Sequence, residues 1–488
     1  MKRNAARFFA RAVASGASLL LAACVSLAPD YERPTVALPE AWNVEGASAA
    51  EAGAEWWKIY GDATLDRLVE EALAGNADLQ LAVARVDEAR ALLGIVRGEQ
   101  SPTVGATVER GRARASERAP GVALPPGASR EVDTYLAAVS ISYELDLWGR
   151  LRNATAAARA QLLATEAAQQ TVRNALAAAV VQTYYGLRAL DEQLATTRRS
   201  LAARQEALVL QERRFRSGVI SEFDYRQLQA EALAAQAQLP VLENARAQQE
   251  HALAVLLGKS PRAIYEERVV AVAPAAEPAA EITQLIVPAG LPSELLLRRP
   301  DLVEAEQRLI AANAQIGVAR AAYFPSISLT GALGSESTVL DDLFTGPAGF
   351  WQVAATLTQP IWAGGRLRAG VEAATARERQ ALALYQAAIQ NAFREVRDAL
   401  VAQTKARERF ETENARVAAL RDTLRLARRR YENGIASQLD VLDAERSLLA
   451  AELSRSDALR AQRAAIADLF RALGGGWEPD APLAKAEK

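Results

Sequence analysis

The sequence predicts a mainly α-helical chain that also carries the strands of a membrane β-barrel, arranged as two copies of one helix, β-hairpin, long helix and return-helix unit. Three observations predict it. Arg150-Leu151-Arg152 recurs as Arg366-Leu367-Arg368, and the same 216-residue offset relates Gly218, Ser221, Asp224, Leu257 and Gly258 to Gly434, Ser437, Asp440, Leu473 and Gly474. A duplication of this length makes each half one structural unit. Each half also contains roughly 65 residues with no strong helix breaker, and the later part of each run carries an apolar seven-residue period. Before each of these runs lie two shorter stretches in which the period changes to two.

Composition sets the outer limits. Hydrophobic residues make up 50% of the 488, and alanine dominates, which favours long helices over a compact core. Residues 1–23 contain Lys2, Arg3, Arg7 and Arg11 and no acid, with an apolar stretch from Ala12 to Ala23. This is the pattern of a signal peptide. It closes on Leu21-Ala22-Ala23-Cys24, small residues before the only cysteine of the chain. Such a sequence is a bacterial lipoprotein signal, in which the Cys24 thiol takes a diacylglycerol and becomes the new N-terminus. A lone cysteine cannot form an intrachain disulfide. Val25 follows it in place of an aspartate, which favours the outer membrane. Removing those four basic residues from 57 leaves 53 against 59 acidic ones, a net of −6, so nothing suggests a nucleic-acid binder. No later segment approaches the ~20 apolar residues of a spanning helix. Any crossing of a membrane must therefore be made by strands.

Residues 24–75 are an N-terminal arm and a short helix. From Pro29-Asp30-Tyr31 to about Gly61 the arm is rich in Pro, Gly and Trp (Trp42, Trp56, Trp57) and has no helical period, so it is expected to lie extended on other parts of the protein. The short helix runs from Asp62 to Ala74. Repeat 1 covers residues 76–258. Its first helix runs from Ala77 to Gly98, before the breakers Ser101-Pro102. A β-hairpin follows over about 103–145, a long helix over about 149–215 and a return helix over about 221–257. Within the long helix Val180, Leu187, Leu194, Leu201, Leu208 and Phe215 keep strict heptad spacing, which is a coiled-coil seam. Ser217-Gly218 supplies turn chemistry, and Ser221 sits where an N-cap would start the return helix.

A Pro/Ala-rich connector, residues 259–291, leads to repeat 2 over residues 292–475. There the first helix spans about 300–323, the hairpin about 326–360, the long helix about 365–431 and the return helix about 437–473. Its seam reads Val396, Gln403, Phe410, Val417, Leu424 and Tyr431, and its turn has Asn433-Gly434 and Ser437. Residues 476–488 form a loose tail. Upstream, Asp78-Leu79 and Pro102 match Asp301-Leu302 and Pro325 at an offset of 223, so repeat 1 has seven extra residues between Pro102 and Arg150. They are expected in the hairpin loop. The alanine-rich helices bury little area each and need neighbours on two sides. That favours a closed helical wall, although a filamentous coiled coil shares the signal.

In the first hairpin Tyr135, Ala137, Val139, Ile141 and Tyr143 alternate with Thr134, Leu136, Ala138, Ser140 and Ser142, and Val104, Ala106 and Val108 with Gly105, Thr107 and Glu109. In the second, Ile327, Leu329 and Leu333 alternate with Ser326, Ser328 and Thr330, and Trp351, Val353, Ala355 and Leu357 with Gln352, Ala354 and Thr356. Alternation alone favours a half-buried soluble hairpin. Four such strands beside an outer-membrane lipid anchor reverse that preference. Tyr135 and Tyr143 bracket the apolar face roughly 26 Å apart, close to the girdles of a membrane barrel. Strands in lipid need a closed barrel of about eight strands or more, and four cannot close. Two copies would give eight and three twelve. The small residues Ser140, Ser142, Ser326, Ser328 and Thr356 suit an open lumen and so favour three.

At this point the residues resemble the outer-membrane factors of tripartite, RND-type efflux systems, the TolC and OprM type, in the NodT-like lipoprotein branch. The motifs are Leu291-Pro292-Ser293, Arg298-Arg299-Pro300-Asp301-Leu302, Ala305-Glu306, Ala311-Ala312, Ile316-Gly317 and Phe324-Pro325-Ser326-Ile327. Pro29-Asp30-Tyr31 with Pro34, Leu145-Asp146-Leu147-Trp148-Gly149-Arg150 and Leu439-Asp440-Val441-Leu442-Asp443-Ala444 extend the likeness over nearly the whole mature chain. The resemblance implies a homotrimer, with a twelve-stranded barrel in the outer membrane continued by a periplasmic α-helical barrel. It implies docking to a periplasmic adaptor (membrane fusion) protein and to an inner-membrane RND transporter that supplies the energy.

It also implies a gate at the periplasmic tip, for which Leu439 and Asp443 are the best candidates and Asp440 a weaker one. Three inward copies of Asp443 would form a ring of like charge. Asp440 and Asp443 can equally be acids favoured by a helix N-terminus, or partners of Arg428 to Arg430. The turns at Arg216, Ser217, Gly218 and Ser221, and at Glu432, Asn433, Gly434 and Ser437, are the natural adaptor contacts.

No enzyme is expected. One histidine, one lipid-modified cysteine and one methionine at the removed start give no transition-metal site or nucleophilic triad. His251 lies in a polar Gln-Gln-Glu stretch, and Gly474-Gly475-Gly476 is a helix stop without phosphate-loop context. No cofactor is implied. The leading reading is a passive, gated exit duct for small molecules. The outer channel of a type I protein secretion system is the alternative within the same fold, and a lipid-anchored structural coiled coil the alternative outside it.

Overall fold

The computed structural model describes residues 26–37, 53–116, 129–266 and 295–476. The expected signal peptide, Cys24, Trp42, residues 117–128 of the first hairpin loop, most of the connector with Leu291-Pro292-Ser293, and the tail from residue 477 lie outside the described residues. The chain divides into two compact units, residues 1–34, 86–164 and 305–385 in one and 35–85, 165–304 and 386–488 in the other. Neither unit coincides with a repeat. Each takes segments from both copies, because the long helices α3 (Arg150–Arg216) and α8 (Arg366–Glu432) begin in the first unit and end in the second.

In the first unit, β1 (Thr103–Arg114), β2 (Glu131–Leu145), β3 (Ser326–Ser337) and β4 (Gly349–Thr358) form one antiparallel sheet in the order β1-β2-β3-β4. Directly opposed residues share a face. The register therefore aligns Val104, Ile141, Gly331 and Val353 in one row and Ala106, Val139, Leu333 and Trp351 in the next, all on one side. The other side carries Thr103, Ser142, Thr330 and Ala354, then Gly105, Ser140, Ala332 and Gln352. The described residues do not cover the apolar face. Val108 is 85% exposed and Trp351 and Val353 79% each.

The seven extra residues of repeat 1 are not confined to the loop as expected. The loops are residues 115–130 and 338–348, and β2 has 15 residues against 10 in β4. The cause is a two-stranded extension in which Glu131 to Thr134 pair with β1 beyond the end of β3.

Also in this unit, residues 26–34 lie along α7 (Pro300–Ala321). Asn313 Nδ2 donates to Pro29 O at 2.7 Å, and Arg33 forks onto Glu306 at 2.6 and 3.0 Å, with the Tyr31 hydroxyl donating to the same carboxylate at 3.1 Å. A Cβ on Gly317 would lie 2.8 Å from the Ala28 Cβ, so the close approach of the arm requires glycine there. Trp148 donates to Pro325 O at 2.9 Å and stacks on Phe324, tying the end of β2 to the start of β3.

The second unit, among the described residues, is helical. It holds α1 (Ala63–Gly75), the start of α2 (Ala77–Gly98), α4 (Glu222–Leu256), the short α5 (Pro261–Tyr265) and α6 (Leu295–Arg298), α9 (Gln438–Ala472) and the later parts of α3 and α8. Asp62 caps α1 by accepting from the Thr64 and Leu65 amides. Val180, Leu187, Leu194 and Leu201 of the seam are buried, as are Val396 and Val417.

The expectation of an extended arm up to Gly61 is corrected here, since Trp56–Tyr60 is a 3-10 turn ended by Gly61 at φ 62°. Burial explains it. The turn brings three aromatic rings onto one core, where Trp56 stacks on Phe470 at 5.2 Å and Tyr60 donates to Arg463 O at 2.7 Å. Removal from water pushes the Tyr60 hydroxyl well above its ordinary pKa.

Candidate functional site

Each long helix returns through a turn that its sequence dictates. After α3, the Val219 amide donates to Arg214 O at 2.8 Å and the Gly218 amide to Phe215 O at 2.9 Å. After α8, Ile435 donates to Arg430 O at 2.8 Å and Gly434 to Tyr431 O at 2.9 Å. This six-to-one and five-to-two pair is the Schellman motif, which needs a left-handed residue. Gly218 and Gly434 supply it at φ 75° and 71°. Ser221 then caps α4 and Ser437 caps α9, each accepting from the amide three residues on. Arg216 pairs with Glu212 at 2.6 Å, and the Asn433 amide group donates to Arg429 O. Ser217, Ser221, Glu432, Asn433 and Ser437 are exposed.

The three gate candidates stand on the first turns of α9. Val441, Leu442 and Ala444 point inward and are buried, which leaves Leu439 at 54% exposure and the Asp443 side chain at 61%, one helical turn apart on the outer face. Asp443 pairs with Arg446 at 2.6 Å, whereas Arg428 is engaged by Glu445. Asp440 does something else. Its carboxylate accepts from the Ser437 hydroxyl at 2.8 Å and the Ser437 amide at 2.7 Å, completing a capping box. Those bonds from Ser437, side chain first and backbone second, hold the Asp440 carboxyl below its ordinary pKa.

The roles of two groups at helix ends were not legible in the sequence. The Tyr431 hydroxyl accepts from Arg214 Nη1 at 3.1 Å and Gln211 Nε2 at 3.3 Å, and Gln211 also meets Gln438 at 3.5 Å. These bonds join the two helical hairpins. The seam position of Tyr431 marked it only as apolar packing. The second is Arg299, 6% exposed, which donates to Ala472 O at 2.9 Å, to both oxygens of Asp301 at 2.9 and 2.6 Å, and to Glu395 at 2.9 Å. At the matching place in repeat 1, Asn76 Nδ2 donates to Leu256 O at 3.1 Å. The acceptors are equivalent, 216 residues apart, and the donors differ. Beside each, a glycine lets two helix ends meet: a Cβ on Gly258 would lie 2.0 Å from Gly75 O, and one on Gly474 2.7 Å from Arg298 O.

A match to the family described as Outer membrane efflux protein covers residues 68–259 and 291–475, one block for each repeat. The chain belongs to the outer membrane efflux protein family. It is 39% identical over 469 residues to Outer membrane protein OprJ of Pseudomonas aeruginosa, covering 94% of this chain and 95% of that protein. It is 34% identical over 466 residues to Probable outer membrane lipoprotein SilC of Salmonella typhimurium, covering 94% and 97%. The crystal structure of the Campylobacter jejuni CmeC outer membrane channel superposes with a TM-score of 0.87 at 27% identity, covering 94% of this chain and 97% of that one. This member of the family is therefore an efflux channel protein of the outer membrane. The Arg299 and Trp148 contacts give a physical role to motifs that the sequence offered only as a likeness.

Proposed function

We propose that three copies of this chain form the exit duct of a tripartite efflux pump, passing small molecules from a periplasmic adaptor and an inner-membrane RND transporter to the exterior. The register of the sheet carries the reading. It has one largely apolar face, a second face made mainly of Ser, Thr, Gly and Ala, and, among the described residues, two unpaired edges, β1 and β4. In hydrocarbon an unpaired edge costs several kcal/mol per group. Joining β4 of one copy to β1 of the next removes every edge, and three copies give the twelve strands that leave an open lumen. The long helices, 67 residues and about 100 Å each, provide the wall of a periplasmic tunnel. Cys24 carries the lipid that holds the N-terminal arm at the membrane.

Gating belongs to the second copy in this reading. Leu439 and Asp443 share the exposed face of α9 near its start, and three of each would narrow the aperture with an apolar ring and an acidic ring. Asp440 serves mainly to start the helix. The adaptor meets the two return turns, at Arg216 to Ser221 and Glu432 to Ser437. Planar-bilayer recording tests the duct. Purified protein should give discrete, cation-preferring conductance steps, and a membrane-inserted protein that gives none refutes it.

A further inference from the structure

One side of β1 changes character halfway along. Val104, Ala106 and Val108 are followed on that side by Arg110, Arg112 and Arg114. The register fixes where the change falls. On β2 the apolar side runs from Leu145 through Tyr143, Ile141, Val139 and Ala137 to Tyr135. Those positions cover about 34 Å of strand, which a tilt of about 45° reduces to roughly 25 Å, the height of a barrel's apolar band. The band is used up where Arg110 faces Tyr135. Arg112 and Arg114 lie one and two steps beyond it.

The three guanidiniums are held in place by contacts that engage only part of their five donors each. Arg110 lies over the Tyr135 ring, 5.7 Å from its centroid. Arg112 is 2.7 Å from Glu131 and 3.9 Å from Asp133, the residue opposite it, and Arg114 is 3.8 Å from Glu131. Their side chains stay 63% and 68% exposed. Alternate positions on a strand are about 6.8 Å apart, so the row presents three planar forks at nearly regular spacing. Such forks fit phosphate oxygens two at a time. Repeat 2 has no counterpart, because the residues at and next to this height on the same side of β3 and β4 are Ser335, Ser337 and Gly349.

We propose that Arg110, Arg112 and Arg114 bind the phosphate groups of a glycolipid of the outer leaflet, whose acyl chains lie against Val104, Ala106 and Val108. The excess of three guanidiniums over the Glu131 and Asp133 carboxylates on this face, together with the apolar strip directly below the arginines, selects this occupant. The site rests on the reading that the sheet stands in the outer membrane with the first hairpin loop outward.

The test counts lipid bound to the purified full-length protein in detergent by native mass spectrometry, using diphosphorylated lipid A and the same lipid stripped of phosphate. The intact protein should prefer the phosphorylated form by at least about tenfold, the effect of one charge-assisted hydrogen bond. The triple variant Arg110→Gln, Arg112→Gln, Arg114→Gln should lose that preference. Equal binding of the two lipids by the intact protein overturns the site, and that comparison decides the matter even where the triple variant does not assemble. A preference that survives in an assembled triple variant overturns it as well. A protein that forms neither oligomers nor channels removes the membrane reading and the site with it, an outcome distinct from an assembled channel that ignores phosphate.

Discussion

The return turns after α3 and α8 share a backbone and differ in what they present. Gly218 and Gly434 take the same left-handed conformation, and Ser221 and Ser437 the same capping role. Yet Phe223 and Gln227 in the first copy stand where the second has Leu439 and Asp443. The junctions at the other ends of the return helices repeat the lesson: Gly258 and Gly474 are kept, while the donor to the helix end is Asn76 in one copy and Arg299 in the other. Backbone geometry admits one residue type at such places and so preserves it through a duplication. Side chains that act by contact were free to diverge, and they differ between the two copies.

The largest expected effect separates the junctions. Arg299→Ala should cost about 3 kcal/mol, because it leaves two carboxylates and a helix-end carbonyl without their shared donor, whereas Asn76→Ala should cost about 1 kcal/mol. Urea midpoints of the detergent-solubilised protein measure both, and equal losses would end the distinction. Next is the gate. Asp443→Ala should raise resting conductance severalfold while Gln227→Ala leaves it unchanged; if both or neither respond in folded protein, the second copy holds no special place.

Smaller effects concern the turns themselves. Ser437→Ala should cost about 1 kcal/mol through the lost cap, read as faster amide exchange over the first turn of α9. Asp440 adds a pH dependence. Its carboxyl is held below the ordinary value, so its contribution is present above the ordinary carboxylate range and is lost as pH falls through the lowered folded-state pKa. Asp440→Asn should remove that acid-induced loosening of the turn. The smallest expected change is that of Tyr431→Phe, about 0.5–1 kcal/mol for two partly exposed bonds, with mobility between the two hairpins as its readout.

Much of this was legible in the sequence where a local rule decides. The helix ends at Arg216 and Glu432 follow from Ser217-Gly218 and Asn433-Gly434, and the seam from its heptads, because both signals lie within a few residues of their effect. The strands were readable because alternation needs no partner to be visible. Long-range contacts left no such mark. Arg299 meets groups 96 and 173 positions away, and Trp56 to Tyr60 fold into a turn only because Phe470 and Tyr185 receive their rings. The division of the extra residues between loop and strand depended on how far β2 pairs beyond β3, which composition does not state. For the proposed gate, only the family resemblance pointed to Leu439 and Asp443, while Asp440 stood open as gate residue, helix-start acid or arginine partner, and its bonds to Ser437 place it in a capping box.

The central claim is that a sheet of four strands with two open edges is one third of a barrel. The mass of the detergent-solubilised, membrane-extracted complex tests it most directly. The account predicts three chains per complex, and a membrane-inserted species of one chain or two would contradict it.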